Sequence, residues 1–110
     1  MSSLSTHVLD TAHGKPAAGV TLVLTGGDGT ELFNGVTNED GRCAGLPRCE
    51  PGRYRFVFAV ADYFRAQGVV LPDPPFLDVV SIDFGIAETG GHYHVPLLVS
   101  PYSYSTYRGS

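Results

Sequence analysis

Apolar and polar residues alternate along most of this chain in short segments, and each segment ends at residues that favour turns. Alternation with a period of two is typical of β-strands that bury one face, whereas clusters of Gly, Pro, Asn and Asp are typical of turns. The pattern predicts about eight strands, which we place at residues 4–10, 20–24, 31–36, 42–46, 53–60, 79–86, 92–100 and 102–107. We therefore expect an all-β protein in which antiparallel strands form a sandwich or barrel.

The predicted strand at residues 53–60 carries the clearest pattern, because four alternate positions are aromatic or β-branched: Tyr54, Phe56, Phe58 and Val60. Such side chains fill a buried pleated surface, so we expect this strand at the centre of the core. Residues 61–67 lack alternation, contain good helix formers and are followed by Gly68. This combination predicts one short helix that ends at a glycine.

The chain has 110 residues, which suits one ordinary domain, so we expect a single domain over residues 1–110. A net charge of −4 without any basic cluster argues against a nucleic-acid partner. The longest apolar runs fall far below the roughly 20 residues that span a bilayer, and no signal-like segment opens the chain. We therefore expect a cytoplasmic protein without a membrane partner. Its two cysteines, Cys43 and Cys49, are too few for a disulfide scaffold.

Two predicted strands have a face that suits neither the core nor water. In residues 92–100 one face is apolar, and the other carries His92, His94, Pro96 and Leu98. In residues 4–10 the side chain of Val8 can point inward, while His7 and Leu9 share the outer face. A sheet face that mixes Leu with His is more economically covered by another subunit than left bare to water, so we expect a homo-oligomer.

The histidines allow several interpretations. His92 and His94 lie two apart on a strand, as in some zinc sites, but no third ligand is apparent nearby. A purely structural role, as a hydrogen-bonded side chain, suits His13 in its turn and also His92. For His7 and His94 together we favour a functional site, on the basis of a resemblance that extends along the whole chain.

Several segments resemble the 5-hydroxyisourate hydrolase family, the transthyretin-like enzymes of urate breakdown. The segments are residues 4–12 (LSTHVLDTA), 14–20 (GKPAAGV), 37–42 (TNEDGR), 92–98 (HYHVPLL) and the ending at 104–110 (YSTYRGS). The Gly-x-Pro and Asp-Gly-Arg patterns also resemble turns of non-catalytic β-sandwich modules. The Tyr-Arg-Gly-Ser ending is far more specific, and transthyretin itself, a thyroid-hormone carrier, is similar over residues 100–106 but does not end in this way.

The resemblance implies a transthyretin-like, two-sheet antiparallel β-sandwich of about eight strands with one short helix. It also implies a homotetramer, a dimer of dimers, with active sites in the channel between the dimers. The family hydrolyses the cyclic amide of 5-hydroxyisourate to 2-oxo-4-hydroxy-4-carboxy-5-ureidoimidazoline in urate (purine) degradation. The resemblance implies neither a cofactor nor a metal for this reaction.

By the same resemblance, the catalytic residues are His7, Arg42, His94 and Ser110, and the substrate is bound by His7, Arg42, Tyr107, Arg108 and Gly109. A guanidinium is planar and permanently charged, so Arg42 suits the stabilisation of an oxyanion. Its charge disfavours an imidazolium nearby, so we expect one of the two histidines to be neutral and to act as the general base. We favour His7 as the base and His94 as a proton shuttle, although the residues alone leave the reverse assignment open.

The last four residues are expected to fold across the channel mouth, exclude water and place Tyr107 over the substrate ring. A carrier of the transthyretin type is the alternative, and it would hold an aromatic ligand in an apolar channel lined by Leu9, Pro96 and Leu98. A second alternative is a non-catalytic β-sandwich module, which the absence of a signal peptide makes weak.

Overall fold

The computed structural model describes residues 1–109, which form ten strands and one helix. Several strands are short, because they are halves of longer extended segments that are interrupted at one point. In chain order the elements are β1 (Ser3–Ser5), β2 (Val8–Asp10), β3 (Lys15–Pro16), β4 (Thr21–Gly26), β5 (Glu31–Val36), β6 (Gly52–Phe58), α1 (Val60–Ala66), β7 (Val80–Ile86), β8 (His92–His94), β9 (Leu97–Val99) and β10 (Tyr104–Ser105).

The first sheet is built around the two interrupted segments. The β8 strand pairs with β1, which places His94 opposite Ser5, and β9 pairs with β2, which places Leu98 opposite Leu9. The β3 and β10 strands flank them, giving the order β10-β9-β2-β3. If each interrupted segment is counted once, residues 1–109 contain eight strands, as the sequence predicts.

The predicted all-β sandwich with one short helix is confirmed, but its central pair in the first sheet runs parallel. Alternation shows which face of a strand is buried and carries no information about the direction of its neighbour. The chain leaves the first sheet after β3, builds the second sheet and then returns in the original direction. The expectation of antiparallel pairing throughout was therefore wrong at this one pair.

The second sheet has the order β5-β4-β6-β7, and all of its pairs are antiparallel. Its inner face places Leu22 opposite Phe58 and Leu24 opposite Phe56, and all four side chains are fully buried. This confirms the prediction that the aromatic strand lies at the centre of the core. Tyr54, at the other end of the same strand, is only half-buried.

The helix α1 begins and ends one residue before the predicted range of 61–67. Gly68 follows it with a φ of +86°, a conformation that glycine adopts without strain. The helix buries Val60, Ala61, Tyr63 and Phe64 against the sandwich. Within residues 1–109, no helix has the length and apolar character needed to cross a membrane.

A buried carboxylate links this helix to the first sheet. Asp10 accepts hydrogen bonds from the Tyr63 hydroxyl (2.8 Å) and from the backbone N–H (3.0 Å) and ring Nδ1 (2.6 Å) of His13. Burial alone would raise the pKa of Asp10, but the hydrogen bonds from His13 and Tyr63 outweigh it and hold that pKa below its ordinary value. The structure therefore gives His13 the structural role expected of it.

Three further expectations were wrong. Residues 42–46 do not form a strand, because only Arg42 makes a bridge, to His7, before the chain turns away. The strand predicted at 102–107 is limited to Tyr104–Ser105. Pro96 is buried rather than on the outer face, since a proline has no N–H for the ladder and here it lies in the interruption between β8 and β9.

Candidate active site on the outer face of the first sheet

His7 lies in the interruption between β1 and β2, where the first sheet meets the turn that precedes Arg42. Its carbonyl oxygen accepts a hydrogen bond from the N–H of Leu97 (3.0 Å), and the residue forms an antiparallel bridge with Arg42. The next residue, Val8, donates its N–H to the carbonyl of Gly41 (2.8 Å). Backbone hydrogen bonds on two sides therefore fix the point from which the half-buried imidazole of His7 projects.

Arg42 is positioned by a compact turn. The side-chain oxygen of Asn38 accepts hydrogen bonds from the N–H groups of Asp40 (3.0 Å) and Arg42 (3.1 Å), while the N–H of Asn38 donates to the carbonyl of Arg42 (2.7 Å). Gly41 has a φ of +76°, and a Cβ atom there would collide with the carbonyl oxygen of Val8. Within residues 1–109 the guanidinium of Arg42 has neither a hydrogen-bond nor an ion-pair partner, so its charge is available to a ligand.

His94 ends β8, directly opposite Ser5 of β1. Its Nδ1 atom lies 2.7 Å from the hydroxyl oxygen of Ser5, which leaves Nε2 for other partners. Burial lowers the pKa of His94, and its electrostatic interactions with Arg42, His7 and His92 lower it further. The ring is therefore neutral near pH 7, as the sequence predicts for one member of the pair.

The end of the chain runs directly past His94. Gly109 donates its N–H to the carbonyl of His94 (2.9 Å), and a Cβ atom at position 109 would lie 2.6 Å from Cδ2 of the imidazole. The guanidinium of Arg108 instead stacks on the ring of Tyr93, with its central carbon 4.4 Å from the ring centroid. Its Nη2 atom also approaches the carbonyl of His92 at 3.4 Å. Only a glycine allows the tail to pass so close to the imidazole.

Tyr107 and Arg108 line a cavity of about 220 Å³ at the open edge between the two sheets, where β7 faces β8. Its other walls include Ile82, Phe84, Tyr93 and Val95. Tyr107 is 58% exposed, so one chain leaves it largely free. Its placement over a substrate ring stays a prediction, and Ser110 lies outside the described residues.

The structure thus gathers part of the predicted set at one place. His7, Arg42, His94 and Gly109 are joined by two backbone bridges and by the strand pairing of β1 with β8. Arg108 is directed towards Tyr93 instead. Two imidazoles, a guanidinium without a partner among residues 1–109, and backbone amides together offer a proton acceptor, a positive charge and hydrogen-bond donors, which are the groups that acyl-transfer chemistry needs.

Two serines beside the histidines of β8 were not predicted from the sequence. Ser5 lies opposite His94, and Ser3 lies opposite His92, with hydroxyl-to-ring distances of 2.6 to 2.8 Å. The signal was present, because a period of two places both serines on the outer face that carries His7. Only the pairing of residues 3–5 with 92–94, which the sequence does not reveal, gives those serines partners.

The site is open in a single chain. A cavity of about 420 Å³ lies across the other sheet, near Thr25, Arg53, Arg55 and Asp83, and neither it nor the smaller cavity is lined by His7, Arg42 or His94. In the described part of the chain, no three His, Cys, Asp or Glu side chains come together to hold a metal ion. The His92 and His94 pair has no third ligand there.

Comparison with known proteins identifies a family. The sequence profile of the HIUase/Transthyretin family matches residues 4–109. The chain is 59% identical to a 5-hydroxyisourate hydrolase of Mesorhizobium japonicum over 114 aligned positions, which cover 97% of this chain and 91% of that protein.

Two solved structures share the fold. The 5-hydroxyisourate hydrolase of Klebsiella pneumoniae superposes with a TM-score of 0.86 at 39% identity, covering all of both chains. Sea bream transthyretin in complex with thyroxine superposes with a TM-score of 0.85 at 32% identity, covering 96% of this chain and 93% of that one. A 5-hydroxyisourate hydrolase and a thyroxine-bound transthyretin therefore share this architecture.

Proposed function

The chain belongs to the HIUase/Transthyretin family, and from that premise we propose that it hydrolyses 5-hydroxyisourate at a site formed by His7, Arg42 and His94. The product is 2-oxo-4-hydroxy-4-carboxy-5-ureidoimidazoline, and the reaction is a step of urate degradation. One observation carries the proposal: two imidazoles and the guanidinium of Arg42 meet on one sheet face of a chain that is 59% identical to a named hydrolase.

The reaction adds water to the carbonyl carbon of the cyclic amide and breaks the ring C–N bond. A base must take a proton from water, a positive group must stabilise the oxyanion, and an acid must protonate the leaving nitrogen. His7 acts as the base, and the guanidinium of Arg42, held beside it by their backbone bridge, stabilises the oxyanion. His94 shuttles the proton that the leaving nitrogen needs.

The electrostatics of His94 support a shuttle that works through a neutral ring. Burial and electrostatic interactions with Arg42, His7 and His92 lower the pKa of His94, so an imidazolium there is disfavoured. A neutral imidazole has one protonated and one free nitrogen, and it can receive a proton on one side while it gives one up on the other.

The tail completes the proposed site. Gly109 brings the backbone against the imidazole of His94, and the Ser110 that follows is placed in the catalytic set by family resemblance alone. Tyr107 and Arg108 are proposed to contact the substrate once a second subunit closes the face. Contact of these two side chains with the substrate then depends on that closure.

We also propose a homotetramer, a dimer of dimers, in which a partner covers the outer face of the first sheet. The half-buried His7, Leu9, His94 and Leu98 on that face support a covered surface. A cytoplasmic location stays a prediction, which fractionation of cells that express the protein tests.

The first experiment separates the enzyme from a carrier. 5-Hydroxyisourate is generated freshly from urate, and its decay is followed spectroscopically with and without the protein, because the compound also decays unaided. We expect catalytic acceleration without added metal. Binding without acceleration would instead support a carrier of the transthyretin type.

Substitution of the three site residues tests the assignment. We expect His7→Ala, Arg42→Ala and His94→Ala each to lower kcat/KM by about 10²–10³-fold, the usual cost of removing a general base or an oxyanion donor. His13→Ala and Arg53→Ala are matched controls, since neither side chain faces the site, and they should keep the wild-type kcat/KM. Wild-type turnover in the first three variants would refute the assignment.

A further inference from the structure

A continuous hydrogen-bonded chain runs from His94 to the exposed edge of the first sheet. The Ser5 hydroxyl lies 2.7 Å from Nδ1 of His94 and 2.8 Å from Nε2 of His92, and the Ser3 hydroxyl lies 2.6 Å from Nδ1 of His92. The parallel pairing of β1 with β8 produces this arrangement, because it alternates Ser3, His92, Ser5 and His94 across two neighbouring strands.

The four hydrogen-bonded side chains can hold their protons in only two consistent orders. Ser5 has one proton, so if it donates to His94 it accepts from His92, and if it donates to His92 it accepts from His94. In the first order Nε2 of His94 carries a proton into the site. In the second order Nδ1 of His94 is protonated and its Nε2 is a free acceptor.

One end of this hydrogen-bonded series of side chains reaches solvent, and the other end reaches the proposed site. His92 is exposed, whereas His94 is half-buried beside His7 and Arg42. A charged imidazole at His94 is disfavoured. Proton transfer through this ring is therefore easier if one nitrogen gains a proton as the other nitrogen loses one.

We propose that Ser5 and His92 form a proton relay that supplies His94 during ring opening, which makes Ser5 a positioning residue for the reaction; this inference rests on the proposed role of His94. In the relay, Nε2 of His94 gives its proton to the leaving nitrogen as the ring C–N bond breaks. The Ser5 hydroxyl proton moves to Nδ1 of His94, and the Nε2 proton of His92 moves to Ser5. Nδ1 of His92 then takes the proton of the Ser3 hydroxyl, which regains one from solvent.

The transfer conserves protons. One proton enters from solvent at Ser3 and one leaves at the substrate nitrogen, and neither imidazole gains a net charge. The hydrogen-bonded side chains are left with their protons in the second order, in which Nε2 of His94 is free. A proton taken up later at that atom reverses every step and restores the first order.

The test is Ser5→Ala, with Ser5→Thr as the variant that retains a hydroxyl. We expect Ser5→Ala to lower kcat by about 10–100-fold, less than the roughly 10²–10⁴-fold typical of a group that transfers a proton to the substrate directly, while KM stays near the wild-type value. Ser5→Thr should recover most of the loss. Ser81→Ala, which removes an exposed serine from β7, is the matched control for the loss of a hydroxyl and should be neutral.

Two further measurements distinguish a relay from simple packing. The pH profile of kcat should change shape in Ser5→Ala, and the ¹⁵N chemical shifts of the His94 ring should show a different tautomer balance, whereas Ser81→Ala leaves both unchanged. Wild-type kcat in Ser5→Ala, failure of Ser5→Thr to recover activity, or unchanged ring shifts would each overturn the relay. If His94→Ala itself stays active, the proposed function of His94 fails instead, while the ring shifts still report the hydrogen-bonded chain.

Discussion

Gly41 stands directly before Arg42, with a φ of +76°, and its Cα atom packs against the carbonyl oxygen of Val8. The bridge between His7 and Arg42 forms one residue further on. A side chain at position 41 would therefore strain the backbone and also push the turn away from the first sheet. The close approach that joins the two site residues depends on this glycine.

We expect Gly41→Ala to reduce the free energy of unfolding by about 1–3 kcal/mol or more and to lower kcat/KM, because it moves Arg42 away from His7. Gly14→Ala is the matched control: its φ is +66° and a Cβ atom there meets nothing within 4 Å, so only backbone strain is added. Urea denaturation and steady-state kinetics measure both effects. Equal losses in the two variants would show that the contact with Val8 is unimportant.

At this scale, the sequence was enough to propose the candidate site residues with strong chemistry. His7, Arg42 and His94 lie in segments that resemble the family, and the chemistry of an imidazole or a guanidinium limits the roles that each side chain can have. Ser5 was not predictable, since a serine on the outer face of a strand is ordinary until its neighbour is known. Its partners became visible only with the register of β1 against β8.

Among the elements, the joint between α1 and the first sheet depends on the buried carboxylate of Asp10 and its bonds to Tyr63 and His13. The pKa of Asp10 is lowered in the folded protein, so the folded state favours the charged form. Its contribution to stability is therefore complete above the unfolded pKa of about 3.9 and is lost as the pH falls through the folded value.

We expect Asp10→Asn to lower the free energy of unfolding by about 2–3 kcal/mol at neutral pH, because the hydroxyl of Tyr63 and the ring of His13 lose a charged acceptor. The difference between wild type and variant should shrink below about pH 4, where Asp10 becomes protonated. Urea denaturation of both proteins at a series of pH values, from pH 7 to below pH 4, measures this difference in the free energy of unfolding. A difference that is constant with pH would show that charge is not what joins these elements.

The elements differ in how far the sequence determined them. The strand β6 and the helix α1 follow from local pattern. The alternation of residues within β6 shows which of its side chains are buried, and the glycine after α1 marks where the helix ends. The parallel pair in the first sheet and the loss of a strand at 42–46 follow from contacts between distant segments. Alternation within one segment carries no information about such contacts.

For the molecule as a whole, the outer face of the first sheet decides how the site is completed. Leu9 and Leu98 lie opposite each other beyond the histidines along the sheet, and both are half-buried in one chain. Apolar side chains that flank an open polar site gain most from burial if a second copy covers them. Closure of the site and assembly of the proposed tetramer are then one event.

This coupling makes Leu98→Glu informative, because it places a charge on the proposed interface without touching the imidazoles. We expect the variant to dissociate into smaller species in analytical ultracentrifugation and to lose most of its kcat/KM, since an unpaired charge buried in an interface costs several kcal/mol. Val70→Glu, at a side chain that is 94% exposed, makes the same chemical change outside that face and should keep both assembly and activity. If Leu98→Glu stayed assembled and active, this face would be free in solution and a single chain would have to exclude water from the site unaided.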